Sequence, residues 1–255
     1  MIDSASHFKL VASQFTMQVI CFVGLYILWD TQWLWLSLTG IVLIGGFGIG
    51  LYYHRYLSHS SFKVHRATEL TMHCLGVMAM QGSPMIWAAN HVNHHRHSDK
   101  QYDPHPSYEW FKTWFWISVG ERLMIDPRTI KRLSKDPIHP LTTRYYFKIY
   151  WSTIILSAII DPRITVYFFA VPVVYAFHIS AFTNIVLHKW GYRNFNTNDD
   201  STNLPLPFLM ESPYHNNHHK DPSNYNQAVK WYEFDIYKYL IDIIKVKGKQ
   251  NGKYL

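Results

Sequence analysis

Histidine is the residue type in this chain whose number and spacing point most directly to chemistry. There are 16 histidines in 255 residues, and nine of them fall into four short groups. Two groups read H-x-x-H-H, one reads H-x4-H, and the fourth pairs a histidine with an asparagine as N-x3-H. The members are His54, His59, His91, His94, His95, Asn184, His188, His215, His218 and His219.

The spacing within these groups predicts metal binding. Residues three and four apart on a helix share one face, so each H-x-x-H-H group presents its imidazoles in one direction. Imidazole nitrogen is a good ligand for iron, copper, nickel or zinc. Nine such ligands exceed the four of a tetrahedral zinc site and suit two metal ions. A single histidine is more often only hydrogen-bonded or solvated, but the repeated pattern disfavours that alternative. The two cysteines, Cys21 and Cys74, exclude a disulfide framework and any multi-cysteine metal site.

Long apolar segments must position these groups. Charged residues make up 16% of the chain, below the roughly 25% of a soluble domain. Asp30 is the only charged residue between Lys9 and Arg55, and it separates predicted membrane spans at about 11–29 and 33–53. Two further spans are predicted at 145–161, with Lys148 snorkelling to the interface, and at 164–187. The sequence therefore predicts an all-α integral membrane protein with four transmembrane helices in two hairpins.

Charge placement predicts the orientation of these helices. Lysine and arginine are concentrated in 54–144 and 188–255, so the positive-inside rule assigns both segments to a helical cytoplasmic cap. The net charge of +7 is then mainly a topology signal, and no nucleic-acid-binding motif accompanies it. Only 31 residues separate His59 from His91, too few to cross a bilayer twice. All four histidine groups are thus expected in one shared site on the cytoplasmic face.

The motifs resemble those of the membrane fatty acyl desaturases, most closely the Δ9, stearoyl-CoA desaturase-like branch. The first group is H-R-Y-L-S-H, similar to the family's H-R-x-W-x-H, with Leu57 where Trp is common. The second group continues into R-H-S-D-x3-D-P-H, the third is H-N-N-H-H, and N-x3-H precedes W-G-Y-R. The resemblance runs from about Trp33 to Asn226, and the whole chain, 1–255, is expected to form a single desaturase domain. Before the third group stands M-E-S-P-Y, of which only Glu211 matches the family.

The resemblance implies a cofactor and a reaction. Two iron ions would be held by the nine histidines, with Asn184 reaching one of them through water, and no further catalytic or cofactor-binding residue is expected. The enzyme would use O2 and two electrons to introduce a cis double bond, at Δ9, into a long saturated fatty acyl chain. The carrier would be coenzyme A, acyl carrier protein or a membrane lipid. Ala89 stands where animal acyl-CoA enzymes have arginine, which puts coenzyme A in doubt.

The electron donor is expected from the same resemblance, whereas the location is expected from the apolar segments, the charge placement and the short chain. No fused cytochrome b5 domain is expected, so a separate electron donor, a ferredoxin or a cytochrome b5-like protein, would supply the electrons. The protein would lie in the lipid bilayer as a multi-pass protein with its active site facing the cytoplasm. A bacterial inner membrane is favoured over the endoplasmic reticulum.

Three residues are candidates for the wall of a substrate tunnel. Glycines crowd the end of the second span, and they indicate either close helix packing or room for an acyl chain. In the second interpretation Val42 and Gly46 set the depth of the tunnel. Trp87 matches a tryptophan that the family places near the substrate, although a purely structural aromatic is an equal alternative. Asp99 and Asp103 are candidates either for orienting metal-bound imidazoles or for capping a helix.

Two other functions use the same histidines. A membrane di-iron hydroxylase or alkane monooxygenase would share the metal site but produce an alcohol. A non-catalytic metal transporter or sensor would need ligands along a permeation path among the helices. The histidine groups instead lie beyond the ends of the predicted spans, which disfavours transport.

Overall fold

The fold is described here from a computed structural model that covers residues 4–121, 125–206 and 212–246. These residues form eleven helices joined by loops that carry a few isolated β-bridges. The helices are α1 (Ser4–Ile27), α2 (Thr31–Ser58), α3 (Arg66–Val77), α4 (Pro84–His97), α5 (Trp110–Trp114), α6 (Ile117–Glu121), α7 (Pro127–Leu133), α8 (Ile138–Ile160), α9 (Pro162–Val186), α10 (His215–Lys220) and α11 (Ile236–Ile244). The all-helical class predicted from the sequence is confirmed.

Three helices, α1, α2 and α9, are long and apolar enough to cross a membrane. Helix α8 has 23 residues, which is long enough, but Arg144 and Lys148 lie in its first half and it is not among those three. The helix also begins at Ile138, seven residues before the predicted span at 145–161. The fourth span therefore stays a prediction.

The two turns that link the long helices lie together at one end of the molecule. The hydroxyl of Tyr167 in α9 donates to the Leu28 carbonyl at 3.0 Å and accepts from the Asp30 amide at 2.7 Å. The guanidinium of Arg163 lies over the ring of Trp33, 4.6 Å from its centroid. Because α1 and α2 form one hairpin and α8 and α9 the other, the histidine groups lie at the opposite ends of these helices.

Close backbone packing supports the end of α2 that carries His54. From Ile41 to Ser58 this helix has wide π-helical turns, a rare geometry that is frequently found at functional sites. A Cβ on Gly48 would lie 2.7 Å from the backbone nitrogen of Gly76 in α3, so only glycine permits this crossing. The close-packing interpretation of the glycines thus holds at Gly48, and α3 lies against the protein.

A buried ion pair fixes α11 beside the same end of α2. Arg55, next to His54, donates to both carboxylate oxygens of Asp235 at 2.8 and 3.2 Å. It also donates to the Tyr225 carbonyl at 2.6 Å, and both side chains of the pair are 1% exposed. A buried charge requires such pairing, so the arginine of H-R-Y-L-S-H ties the C-terminal segment to the helix that holds the histidines.

Candidate metal centre

Four helix ends deliver the nine histidines of the sequence motifs to one place. His54 lies in the last turns of α2 and His59 follows that helix directly. His91, His94 and His95 lie on α4, His188 follows the end of α9, and His215, His218 and His219 lie on α10. Helix α10 is only six residues long, but Asn203 anchors its start because its side-chain oxygen accepts the amides of Asn216 and Asn217.

The nine imidazoles form two adjoining sets. Within each set, one ring nitrogen of every member lies within 4.8 Å of those of all other members. The first set is His54, His59, His91, His95 and His218, and the second is His94, His188, His215 and His219. His94 and His95, neighbours on α4, belong to different sets, so this helix links the two. The structure thus brings all nine predicted histidines together, and their roles as ligands stay a prediction.

The distances within the first set match the edges of a coordination polyhedron. The Nε2 atoms of His54 and His218 are 2.8 Å apart, those of His218 and His95 3.0 Å, those of His95 and His91 3.1 Å, and those of His91 and His59 2.9 Å. Imidazole nitrogens about 2.1 Å from one ion would be roughly 3.0 Å apart at right angles and roughly 3.4 Å apart in a tetrahedron. These nitrogens are therefore close enough to one another to bind a single ion.

Three aspartates orient imidazoles of the second set. Each carboxylate accepts a hydrogen bond from a ring Nδ1–H, which fixes the tautomer and directs the lone pair of Nε2 into the centre. The pairs are His94 with Asp103 at 2.8 Å, His188 with Asp99 at 2.7 Å and His219 with Asp199 at 2.9 Å. Asp99 and Asp103 were candidates from the sequence. Asp199 was missed because it lies in an irregular loop, at no regular spacing from a histidine group.

Two Nε2 atoms of the second set make no hydrogen bond within the part of the chain that the structure describes, and a metal ion would supply the partner that they lack. The Nε2 atoms of His94 and His219 are buried and have no hydrogen-bond partner among the described residues. Buried polar atoms nearly always have a partner, so these two call for a ligand. A shell made of imidazole nitrogens suits iron as well as zinc or copper. The residues present therefore fit a pair of metal ions.

Burial keeps most of the imidazoles in the neutral form that binds metal. It lowers the pKa of His91, His95 and His215 well below the usual value, with neighbouring imidazoles adding to the effect. Burial also lowers the pKa of His59 to about 3, aided by the positive charge of Arg132. His94 is the exception, because the Asp103 carboxylate outweighs burial and raises its pKa. Near neutral pH, protons therefore compete little with a metal ion for the other four imidazoles named here.

A cavity of about 480 Å³ reaches the metal centre from the helix bundle. His54, His91 and His215 line it, together with residues of α1 and α8. Asn184 also lines the cavity, while its water-mediated contact with a metal stays a prediction. The volume is in the range of small-molecule sites, which is about 300–1,000 Å³.

Of the three tunnel candidates, one lines this cavity. Trp87 does, and its ring stacks on His91 with centroids 4.9 Å apart. Val42 is 41% exposed on α2 and Gly46 is buried in that helix, and neither is among the lining residues. Their proposed effect on chain length stays a prediction without support from the cavity.

A buried polar network in the cavity wall was not foreseen from the sequence. The indole nitrogen of Trp87 donates to the Gln81 side-chain oxygen at 3.1 Å. The Gln81 amide donates in turn to the Ser180 hydroxyl at 2.9 Å and to the Ala176 carbonyl at 3.0 Å. Because these groups satisfy one another, the wall holds Trp87 in place without needing water. Gln81 lies outside any motif, between α3 and α4, so no spacing indicated it.

The sequence is similar to those of several known proteins. A sequence model described as fatty acid desaturase matches residues 32–242. An acyl-CoA 5-desaturase of Anemone leveillei is 31% identical over 84% of this chain and 69% of its own length. Delta-9 acyl-lipid desaturase 1 of Arabidopsis thaliana is 29% identical over 82% of this chain and 71% of its own. The sn-1 stearoyl-lipid 9-desaturase of Anabaena variabilis is 28% identical, with 81% and 78% covered.

Proposed function

Since this chain belongs to the fatty acid desaturase family, we propose that it introduces a cis double bond into a long saturated fatty acyl chain at a His-bound pair of iron ions. The double bond is proposed at Δ9, since two of the compared relatives are named for that position, whereas the Anemone enzyme is named for position 5. Family membership itself confirms the resemblance found in the histidine motifs.

One observation carries the proposal: imidazoles of both sets line the same cavity. His54 and His91 of the first set and His215 of the second set are all among its lining residues. A substrate chain that fills the cavity would therefore place one pair of its methylene carbons beside both ions. Two iron ions held by these imidazoles would supply the oxidising power needed to break unactivated C–H bonds with O2.

Side chains of this protein orient the imidazoles and help to exclude water from the cavity. Asp99, Asp103 and Asp199 hold the second set of imidazoles in one orientation, which preserves the shape of the centre during turnover. Trp87 covers His91 and narrows the cavity next to the centre. A water-poor cavity limits side reactions of the oxidant, which is a general requirement of such chemistry.

The overall reaction needs partners that the chain does not supply. The –CH2–CH2– unit loses two hydrogens, O2 is reduced to two waters, and two electrons and two protons enter from outside. The electrons are proposed to come from a separate ferredoxin or cytochrome b5-like protein. The acyl chain is proposed to arrive on coenzyme A, acyl carrier protein or a lipid, since the relatives include acyl-CoA and acyl-lipid enzymes.

Expression in a host that lacks unsaturated fatty acids tests the function. We expect new monounsaturated acids with a cis double bond, identified by mass spectrometry of derivatives that reveal its position. Hydroxy acids in place of alkenes would instead indicate a hydroxylase, and saturated lipids alone would contradict the proposal.

The His94→Ala variant tests the metal centre in the same host. We expect loss of product together with a lower iron content of the purified protein. His97→Ala is the matched control, because His97 lies on the same helix but belongs to neither imidazole set. Full activity of His94→Ala would contradict the assignment of the centre.

A further inference from the structure

A dense basic surface lies on α7 and the turn that follows it. Four cations, Arg128, Lys131, Arg132 and Lys135, fall within eight residues. Arg128, Lys131 and Lys135 are exposed. With Lys63, which is also exposed, these residues are called here the α7 basic surface. A recess of about 450 Å³ is lined by its members Lys63, Arg132 and Lys135, and also by Glu69 and Asp136, which both pair with Arg66 of α3.

The acidic residues next to α7 do not neutralise this surface, because arginines from other elements pair with them. Asp126, at the start of α7, is buried and accepts from Arg96 at 2.9 Å. Asp136, at the other end, pairs with Arg66 of α3. Each carboxylate thus has a guanidinium outside the segment, and the cations of α7 leave a net positive field that faces solvent.

The α7 basic surface adjoins the first imidazole set. Arg132 donates to the Ser60 hydroxyl at 3.0 Å and to the Leu57 carbonyl, on either side of His59. On the other flank, the Asp126 amide donates to the Ala89 carbonyl of α4, the helix that carries His91 and His95. His59 and His95 are partly exposed, whereas His54 and His218 are buried. Of the first set, the rings nearest to solvent therefore lie beside this surface.

We propose that the α7 basic surface is the docking site of an acidic one-electron carrier protein, which delivers electrons through the His59 edge of the metal centre. The proposal rests on the proposed function, because only a reaction that consumes electrons needs such a partner. Each docking event would oxidise one carrier molecule and pass one electron, so two events would serve each O2 reduced. Charge complementarity of this kind speeds encounter and orients the partners.

A lipid surface is the other anionic partner that such cations fit. The position of the α7 basic surface favours a carrier protein over a lipid, because this surface is attached to the loop and helix that carry His59 and His95. An electron carrier needs that proximity and a phospholipid headgroup does not. The two partners are separated by the measurement below.

The test is direct binding of the full-length protein, in nanodiscs of uncharged lipid, to a plant-type ferredoxin and to cytochrome b5. We expect salt-sensitive binding to at least one carrier, and binding about tenfold or more weaker for the double variant Lys131→Glu/Lys135→Glu. Arg132 is left unchanged because it holds the His59 loop. Lys131→Arg/Lys135→Arg should restore wild-type affinity, since charge rather than shape is proposed to matter.

The matched control is Lys189→Glu, which reverses the charge of an exposed lysine outside the α7 basic surface and should change affinity less than about twofold. Equal binding by the wild type and the double variant would overturn the proposal. The proposal would also be overturned if the double variant bound both carriers as the wild type does and lost only binding to separate nanodiscs of anionic lipid. That result would identify the surface as a headgroup site. Because binding is measured without turnover, failure of the proposed desaturation would be seen separately, as absence of product from a wild-type protein that still binds the carrier.

Discussion

Asp199 lies outside the histidine groups but orients one of their imidazoles. Its carboxylate accepts from His219 at 2.9 Å, and the amide and hydroxyl of Ser201 and the hydroxyl of Thr197 hold it in place. Asp200, the next residue, is exposed and contributes its backbone amide to Asp99. Neighbouring residues of the same type thus have different surroundings, and they offer a matched test.

Asp199→Asn should weaken metal binding without unfolding the protein. The amide can no longer act as a charged acceptor for the His219 ring, so the ring loses its fixed tautomer, and loss of such a partner typically costs about 10–100-fold in metal affinity. The check is iron content after dialysis against a weak chelator. Asp200→Asn should keep wild-type iron content, and equal loss in both variants would show that Asp199 has no specific role.

The extent to which the site could be predicted also differs from residue to residue. The nine histidines were predicted because i, i+3 and i+4 spacing has a direct geometric meaning on a helix. Asp199 and Ser180 escaped prediction because their partners are distant in sequence, so only the folded chain places them. Val42 was a candidate through its position near the glycines, but it lies 41% exposed on α2 rather than in the cavity wall.

At the scale of elements, the crossing of α2 and α3 limits what the chain tolerates. Gly48→Ala would press a methyl group against the backbone of Gly76, at 2.7–2.8 Å, where neither helix can yield easily. We expect a loss of about 1–3 kcal/mol, typical of overpacking, read as a lower thermal unfolding midpoint in detergent. Gly45→Ala is the control, because its Cβ would meet only the Tyr175 ring at 4.0 Å. Equal midpoints for the two variants would contradict the role given to this contact.

Helix α11 depends on the buried ion pair between Arg55 and Asp235. Asp235→Ala would leave a buried guanidinium without its carboxylate and remove the N-cap of α11, where Asp235 accepts from the Tyr237 amide. Removing one partner of a buried pair costs about 3–5 kcal/mol, so we expect the thermal midpoint to fall and the C-terminal segment to become sensitive to protease.

The exposed pair of the same helix provides the comparison. Asp242 pairs with Lys238 at 2.9 Å and with Lys245 at 2.5 Å and accepts from the Tyr225 hydroxyl at 3.0 Å, and its side chain is about one-third exposed. Asp242→Ala should leave the midpoint and the protease pattern close to those of the wild type, because solvent screens such pairs. If Asp242→Ala is as harmful as Asp235→Ala, burial does not account for the effect.

Local sequence could not predict either of these arrangements. Arg55 was noticed only as part of a histidine motif, since its partner lies 180 residues away. The π-helical turns of α2 likewise have no clear sequence signal, because the apolar run from Ile41 onward is compatible with an ordinary α-helix. By contrast, the uncharged stretches located α1, α2 and α9, and four of their six ends agree with the predicted spans to within two residues. Helix α1 begins seven residues before its predicted span and α2 ends five residues after its own.

At the scale of the whole molecule, the position of both hairpin turns at one end links the fold to the membrane. Tyr167 joins the Asp30 turn to α9, and Arg163 covers Trp33. If the two turns lie on the opposite side of the bilayer from the histidines, α8 must cross it as well, since it connects the histidine end to the turn at Asp161. Its Arg144 and Lys148 lie in the first half of the helix, where long side chains reach the interface.

Cysteine accessibility tests this arrangement. In a Cys74→Ser background, which removes the exposed native thiol and keeps the buried Cys21, single cysteines at Gln32, Ile160 and Lys220 report the three relevant positions. A membrane-impermeant maleimide added to intact cells should label Gln32→Cys and Ile160→Cys, whereas Lys220→Cys should react only after permeabilisation. If Ile160→Cys instead behaves like Lys220→Cys, α8 does not span the bilayer, and the two turns cannot share the outer face as their contacts require.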